Sequence, residues 1–343
     1  MVQTATFRDD LRLFGDAARG FAATMAACES DVFARAADLG FLSLLAPAGI
    51  GGLDGDVDSL CAVLRPVARN DAGVAAALLV HAGAQQLLRA AGPWPEVIAA
   101  TDLLTRPAFA SGEEEAAALS LHAGRLHGRT ALVPLAAEAQ RIVLLVRERD
   151  GRVAVASCRT DTAGLSLLPV DVLGLHRCAP CDLSLTDVAS DIHGALERTV
   201  GESLEACDAL GVAAIALGVL EGAFGAALDY AQLRQQGGRR IVEWPEVQRM
   251  LASMRDSVVV LDAALAGVGA ARRDGDATWC ESATALARQA TDAARAGTSD
   301  GVQVLGGNGY TKEYPQEGRM RDARQLRCML ARPRAPSPWM RTS

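Results

Sequence analysis

What this sequence lacks narrows its function before any motif is read. It has no basic stripe: its 343 residues carry a formal net charge of -7, whereas nucleic-acid-binding domains gather Lys and Arg on one face, so nucleic acid is not an expected partner. The opening MVQTATFRDDLRLF lacks the basic flank and apolar run of a secretory leader, which predicts a cytoplasmic protein. The cysteines lack the dense, regular spacing of a secreted disulfide scaffold, and reduced thiols are expected. A CxxC does occur, Cys178 and Cys181 with His176 nearby, but a structural zinc needs a second ligand pair, and no metal site is expected. A clean membrane span is missing too. The longest apolar run, residues 209–228, is nearly long enough to cross a bilayer, yet Glu221 interrupts it and Asp208 and Asp229 flank it. No Lys or Arg cluster marks a cytoplasmic side. Gly218, Gly222 and Gly225 suit instead a buried helix packed closely on its neighbours, so no membrane insertion is expected.

What is present points to a globular protein with a sizeable core, since half of the chain is apolar. Residues 1–100 have apolar positions at helical spacing, broken by the loop APAGIGGLDGD. His81 lies in one of these apolar helices and reads as a core histidine rather than a catalytic one. From about 101 to 192 the period changes to short β-rich runs separated by Gly or Asp turns, RDGR being a hairpin turn, which predicts a small sheet or barrel. Beyond residue 200 the spacing predicts helices at about 204–236, 245–273, 277–298 and 316–330, a four-helix bundle. Pro245 marks a helix start, because its missing N–H would be unpaired there anyway. The fold class is α+β, mainly α, with a helical domain over 1–100, a β-domain over 101–195, a bundle over 196–335 and a tail over 336–343.

The chain is organised around residues 302–324, VQVLGGNGYTKEYPQEGRMRDAR. Gly306, Gly307 and Gly309 let the backbone bend sharply and a ligand approach closely; a plain joint between two helices is the other reading. With Gln303 before the Gly-Gly pair and Arg321 and Asp322 after it, the stretch resembles the C-terminal signature of the acyl-CoA dehydrogenases. The segment YAQLRQQGGRRIVEWPEVQRM resembles that family's Tyr-Ala-x-x-Arg-x-x-Phe-Gly … Gln segment. There Arg234 matches an arginine that holds the pyrophosphate of a neighbouring subunit's FAD. A planar guanidinium suits bidentate phosphate contact, though a solvent-facing Arg is the alternative. The resemblance covers nearly the whole chain, most strongly after residue 200. It implies FAD as cofactor, an acyl-CoA thioester as substrate and an obligate oligomer. In that oligomer Arg234, Gln303, Gly306 and Gly307 serve the neighbour's FAD. Thr105 and Ser111 match a Thr and a Ser in the middle domain that face the flavin.

Departures from the family pattern are as informative as matches. The resemblance implies a reaction in which a base takes the proton alpha to the thioester while the beta hydrogen passes to the flavin as hydride. The usual Glu, nine residues past the Arg of the Arg-Asp pair, is Leu330, followed by Ala331 and Arg332. Leucine takes no proton. Some members carry the base instead twenty-two residues before the Tyr of the second segment, which is Asp208 here; a desolvated carboxylate makes a stronger base. A helix N-cap is the competing role for that Asp, and the Arg expected after it is Ala209. The Glu after Thr105 is Arg106, the flavin-side Trp-x-Thr/Ser is Leu132, Val133 and Pro134, and Gly237 and Pro245 replace a Phe and a Gln. Residues that serve a neighbour's cofactor are kept and those around the chain's own flavin are mostly lost. The expectation is therefore one subunit of a heteromeric acyl-CoA dehydrogenase, with a sister subunit as partner or a homo-oligomer in its place. Heteromers of this kind in steroid breakdown supply the suggested substrate class. The alternative is a non-catalytic subunit that completes a sister's FAD site.

Overall fold

A computed structural model describes residues 2–25, 31–107, 119–148 and 152–330. Ser111, the tip of the RDGR turn and the tail lie outside these residues. Four helices come first: α1 (Val2–Thr24), α2 (Val32–Asp38), α3 (Val57–Asn70) and α4 (Ala72–Ala91). Two are started by side-chain caps. Asp56 accepts the Ser59 N–H and Asp71 accepts the Val74 N–H, each at 3.0 Å, and such a cap is worth about 1 kcal/mol. α4 is apolar nearly all round and almost wholly buried, as a core helix must be.

His81 is held inside α4 by two backbone groups. Its Nδ1 accepts the Leu104 N–H at 3.0 Å and its Nε2 lies 2.7 Å from the Leu42 carbonyl, so the Nε2–H tautomer satisfies both. Burial pushes its pKa down, and the ring is a neutral tie between α4 and the first strand.

That strand, β1 (Leu104–Thr105), opens an eight-stranded sheet with β2 (Leu119–His122), β3 (Arg125–Val133), β4 (Arg141–Arg147), β5 (Val153–Arg159), β6 (Leu165–Pro169), β7 (Cys181–Ala189) and β8 (Asp191–Ala195). The order is β6-β7-β3-β2-β4-β5-β8, with β1 parallel to β4. β4 and β5 pair antiparallel from Arg141↔Arg159 to Arg147↔Val153. Leu87 and Leu88 of α4 pack with Val143, Leu145 and Val155 and join the sheet to the helices.

After the sheet come α5 (Arg198–Leu233), the two-residue strands β9 (Gln235–Gln236) and β10 (Arg239–Arg240), then α6 (Pro245–Arg273), α7 (Trp279–Leu305) and α8 (Gln316–Leu326). The expected bundle is present, but it is not a separate body. One hydrophobic cluster takes in Phe21 of α1, Leu64 of α3, Val74 of α4, Leu217 of α5, Ala290 of α7 and Leu326 of α8, so the first and last helices share a core. Close approach makes this possible. A Cβ on Gly218 would fall 2.2 Å from the Arg65 carbonyl oxygen, and one on Gly222 2.4 Å from that of Arg69. α5 is the one helix among the described residues long and apolar enough to cross a membrane, and 78% of its apolar window is buried against protein.

The largest differences from the expected boundaries are in two helices. α5 starts six residues earlier than 204 and α7 runs seven residues beyond 298. In α7, Gly301 leaves room for Gln316, whose Nε2 would lie 1.7 Å from an added Cβ and which donates to the Ala223 carbonyl at 3.2 Å. That contact keeps the last two turns of α7 against α5.

Candidate functional site

At the C-terminal end of α5, a small apolar cluster of Ala231, Ile241, Met250, Val304 and Leu305 clamps the ends of α5 and α7 to the start of α6. It brings Arg234, Gln303, Gly306 and Gly307 to one end of the bundle, and all four are exposed. Gln303 sits in the last turn of α7 rather than in a loop. Gly306 has φ +60°, a conformation that side-chain-bearing residues avoid. Gly307 has no such constraint, and a Cβ there would meet nothing within 4 Å. Among the described residues nothing requires a glycine at 307. Asn308 donates to the Tyr230 hydroxyl at 3.1 Å, fixing the loop on α5, while Tyr310 stands 71% exposed.

Arg234 caps α5, and its backbone holds the following hairpin: its N–H goes to the Tyr230 carbonyl and its carbonyl accepts the Ile241 N–H, both at 2.9 Å. Gly237 and Gly238, at φ +63° and +82°, form the turn between β9 and β10. Among the described residues Arg234, Arg239 and Arg240 have no carboxylate partner. The open glycines, and guanidinium groups without a carboxylate partner among the described residues, fit the phosphate-rich part of a dinucleotide such as FAD.

The region around Asp208 is of another kind. Asp208 lies ten residues inside α5, whose N-cap is Glu197, so the capping role does not apply: the helix begins too early for it. Its carboxylate is in direct ion pair and hydrogen bond with the Arg106 guanidinium. The two side chains are 15% and 25% exposed for Arg106 and Asp208 respectively. Burial pushes the Asp208 pKa up, opposed by the charge and hydrogen bond of Arg106. Arg106 lies flat on α4 at Gly83, where a Cβ would fall 2.4 Å from its Nε. That Nε is buried and has no hydrogen-bond partner among the described residues.

Beside this pair the Thr105 hydroxyl is fully buried and donates to the Pro134 carbonyl. Leu132 and Leu135, either side of Val133 and Pro134, both have φ +55°, a strain of about 1 kcal/mol or more at each. It is held in place by tertiary hydrogen bonds: the Leu132 N–H to Asp182 at 2.9 Å and the Leu135 N–H to the Cys178 carbonyl at 2.6 Å. Leu330 is partly buried and packs against the main hydrophobic core.

Arg321 and Asp322 contact the loop between β6 and β7. Asp322 accepts the Leu175 N–H at 2.7 Å, and Arg321 donates to the Leu173 carbonyl at 3.0 Å and lies 2.6 Å from His176 Nε2. Burial pushes the Asp322 carboxyl up to about 6. The CxxC runs from this loop into the sheet: Cys178 lies in the loop, its thiol given to the Gly73 carbonyl at 3.3 Å, and Cys181 opens β7. Two features were not legible locally: the pairing of Arg106 with Asp208, and the stacking of Arg239 on Trp244, 3.8 Å from the ring centroid. The only sequence signal for the first was an Arg standing where the family has Glu.

Comparison with known proteins follows this geometry. Residues 6–93 match the acyl-CoA dehydrogenase N-terminal domain and residues 206–329 the acyl-CoA dehydrogenase C-terminal domain. A 3-sulfinopropanoyl-CoA desulfinase from Paraburkholderia xenovorans is 34% identical over 175 residues, 48% of this chain and 44% of that protein. The acyl-CoA dehydrogenase FadE34 of Mycobacterium tuberculosis is 30% identical over 302 residues, 82% of this chain and 38% of its own length. The chain thus spans less than half the length of either relative. Butyryl-CoA dehydrogenase from Megasphaera elsdenii superposes with a TM-score of 0.82 at 21% identity, covering 93% of this chain and 94% of that one, a likeness of fold.

Proposed function

Since the chain belongs to the acyl-CoA dehydrogenase family, we propose that it works as a subunit of an acyl-CoA dehydrogenase assembly and completes the FAD site of a sister subunit. The observation that carries this reading is the contrast in how polar groups are used. Arg234, Gln303, Gly306 and Gly307 are exposed at the bundle end, whereas Asp208 and Thr105 are bound within the chain to Arg106 and Pro134. FAD, when bound, accepts the hydride in this family's chemistry. This chain's part is to hold its phosphate-bearing end, with Arg234 as the charged contact and the Gly306–Gly307 turn giving close backbone approach. The sister supplies the isoalloxazine site and the base.

A second reading, dehydrogenation of an acyl-CoA on this chain with Asp208 as base, is favoured by the upward shift of the Asp208 pKa. In that case Arg106 must leave the carboxylate before it can take a proton. Single-turnover reduction of flavin by an acyl-CoA, in the assembly purified with its sister subunit, separates the two. Asp208→Asn is expected to keep the wild-type rate; a loss of about a hundredfold or more, the usual worth of a general base, overturns the first reading for the second.

A further inference from the structure

We propose that Arg239, held flat by Trp244, is a second phosphate-binding arginine of the site at the end of α5, and that the pair stands in for the missing Phe of the family segment. The inference rests on the reading that Arg234 and the Gly306–Gly307 turn serve a neighbour's FAD. Position 237 is Gly. In this fold a side chain there would be in conflict with Trp244, because a Cβ on Gly237 would lie 3.0 Å from Trp244 Cζ2, and the backbone is at φ +63°. The space a residue at 237 would use is already taken by the indole, seven residues further on.

The indole is itself fixed. Its Nε1 donates to the Gln236 carbonyl at 3.4 Å, Trp244 is the N-cap of α6, and it stays 37% exposed. Arg239 stacks on it with Cζ 3.8 Å from the ring centroid. A guanidinium laid on an aromatic face keeps its N–H donors pointing outward in its own plane, the geometry for bidentate contact with phosphate. Because stacking has already restricted the side chain, less conformational entropy remains to be lost on binding. Arg239 has no carboxylate partner among the described residues, and its neighbours Arg234 and Arg240 have none either. Three exposed arginines within seven residues concentrate positive charge on this hairpin, a setting that favours an anion such as a pyrophosphate.

The test is FAD binding, read by flavin fluorescence and gel filtration of the purified assembly, with far-UV circular dichroism to verify the fold. Arg239→Ala is expected to raise the FAD dissociation constant about tenfold. Trp244→Ala is expected to do nearly the same, and the double variant little more than either single one, since the two act as a unit. Trp244→Phe, which keeps an aromatic face, is expected to retain most of the affinity. Arg234→Ala is the control for the underlying reading. FAD loss with Arg234→Ala but wild-type affinity with Arg239→Ala overturns the inference alone. Wild-type affinity with both, or no FAD in the wild-type assembly, overturns the reading and the inference together. Additive losses in the double variant remove the role of Trp244 and leave Arg239 as an independent contact.

Discussion

The two ends of α5 solve opposite problems with similar residues. In its first third an Asp, an Arg, a Thr and a Gly meet, and most of their polar groups are taken up within the chain: Arg106 fills the notch at Gly83, pairs with Asp208, and Thr105 is hydrogen-bonded to Pro134. At its far end, about 39 Å along the axis at 1.5 Å per residue from 208 to 234, arginines are exposed with no carboxylate partner among the described residues, and a Cβ on Gly306 or Gly307 would meet none of those residues within 4 Å. A polar group satisfied at home is poorly placed to serve a ligand, and one left unsatisfied in the open is ready to. The first end reads as a closed site and the second as an interface that awaits a cofactor.

The largest expected effect is at the closed end. Arg106→Ala leaves a partly buried carboxylate without its counter-charge and should cost about 3 kcal/mol of stability near neutral pH. Burial raises the Asp208 pKa, so the native state holds its proton more tightly than the unfolded chain. Its contribution is then most favourable below the ordinary carboxylate range and declines as pH rises through the raised value. Urea unfolding should accordingly show the Arg106→Ala penalty shrinking at acid pH, and Arg106→Ala with Asp208→Asn should recover part of it. An Arg106→Ala chain as stable as wild type at every pH would mean that this end is not closed by the pair.

Next in size is the open end, where Arg234→Ala should weaken FAD retention by about 1.5 to 3 kcal/mol, ten- to a hundredfold, without moving the urea midpoint. Equal loss of FAD and of stability would make Arg234 a structural residue and dissolve the contrast. Gly307→Ala should be smaller still: no loss of stability, because the added methyl meets nothing, but several-fold weaker FAD binding. Retained affinity would show that nothing comes close to that backbone.

The smallest effect sharpens the comparison by placing the Arg-Asp pair of the family signature on the closed side. With its carboxyl pushed up to about 6, Asp322 stabilises the fold most below the ordinary carboxylate range, and that share is lost as pH rises from about 4 through 6. Asp322→Asn keeps an acceptor for the Leu175 N–H and should flatten this part of the melting-temperature profile while leaving FAD affinity unchanged.

Much of the architecture was legible because it is local. Helix, sheet and helix follow one another as the change of period predicts, and α6 occupies Pro245–Arg273, where the proline places its start. The boundaries of α5 and α7 were not, since contacts such as Gln316 against Gly301 and Ala223 decide where a helix stays ordered. That the first and last helical regions share one hydrophobic cluster was not legible for the same reason. At the candidate site, single positions could be matched by spacing, but their partners could not. Arg106 finds Asp208 across 102 residues, and Asp208 turns out to be mid-helix, where no cap is needed. Residue identity does not reveal which groups are already occupied, and that is what separates the two ends.

The shared core also sets a timetable for synthesis. The apolar faces of α3 and α4 are completed by α5, which emerges only after roughly a hundred further residues, among them all eight strands of the sheet. At about 5 to 20 residues per second, those faces wait between about five and twenty seconds on the ribosome before their partner arrives. During that interval the nascent chain presents a long stretch of alanine, valine and leucine to whatever else is nearby, and a chaperone that covers it has a defined moment at which to let go.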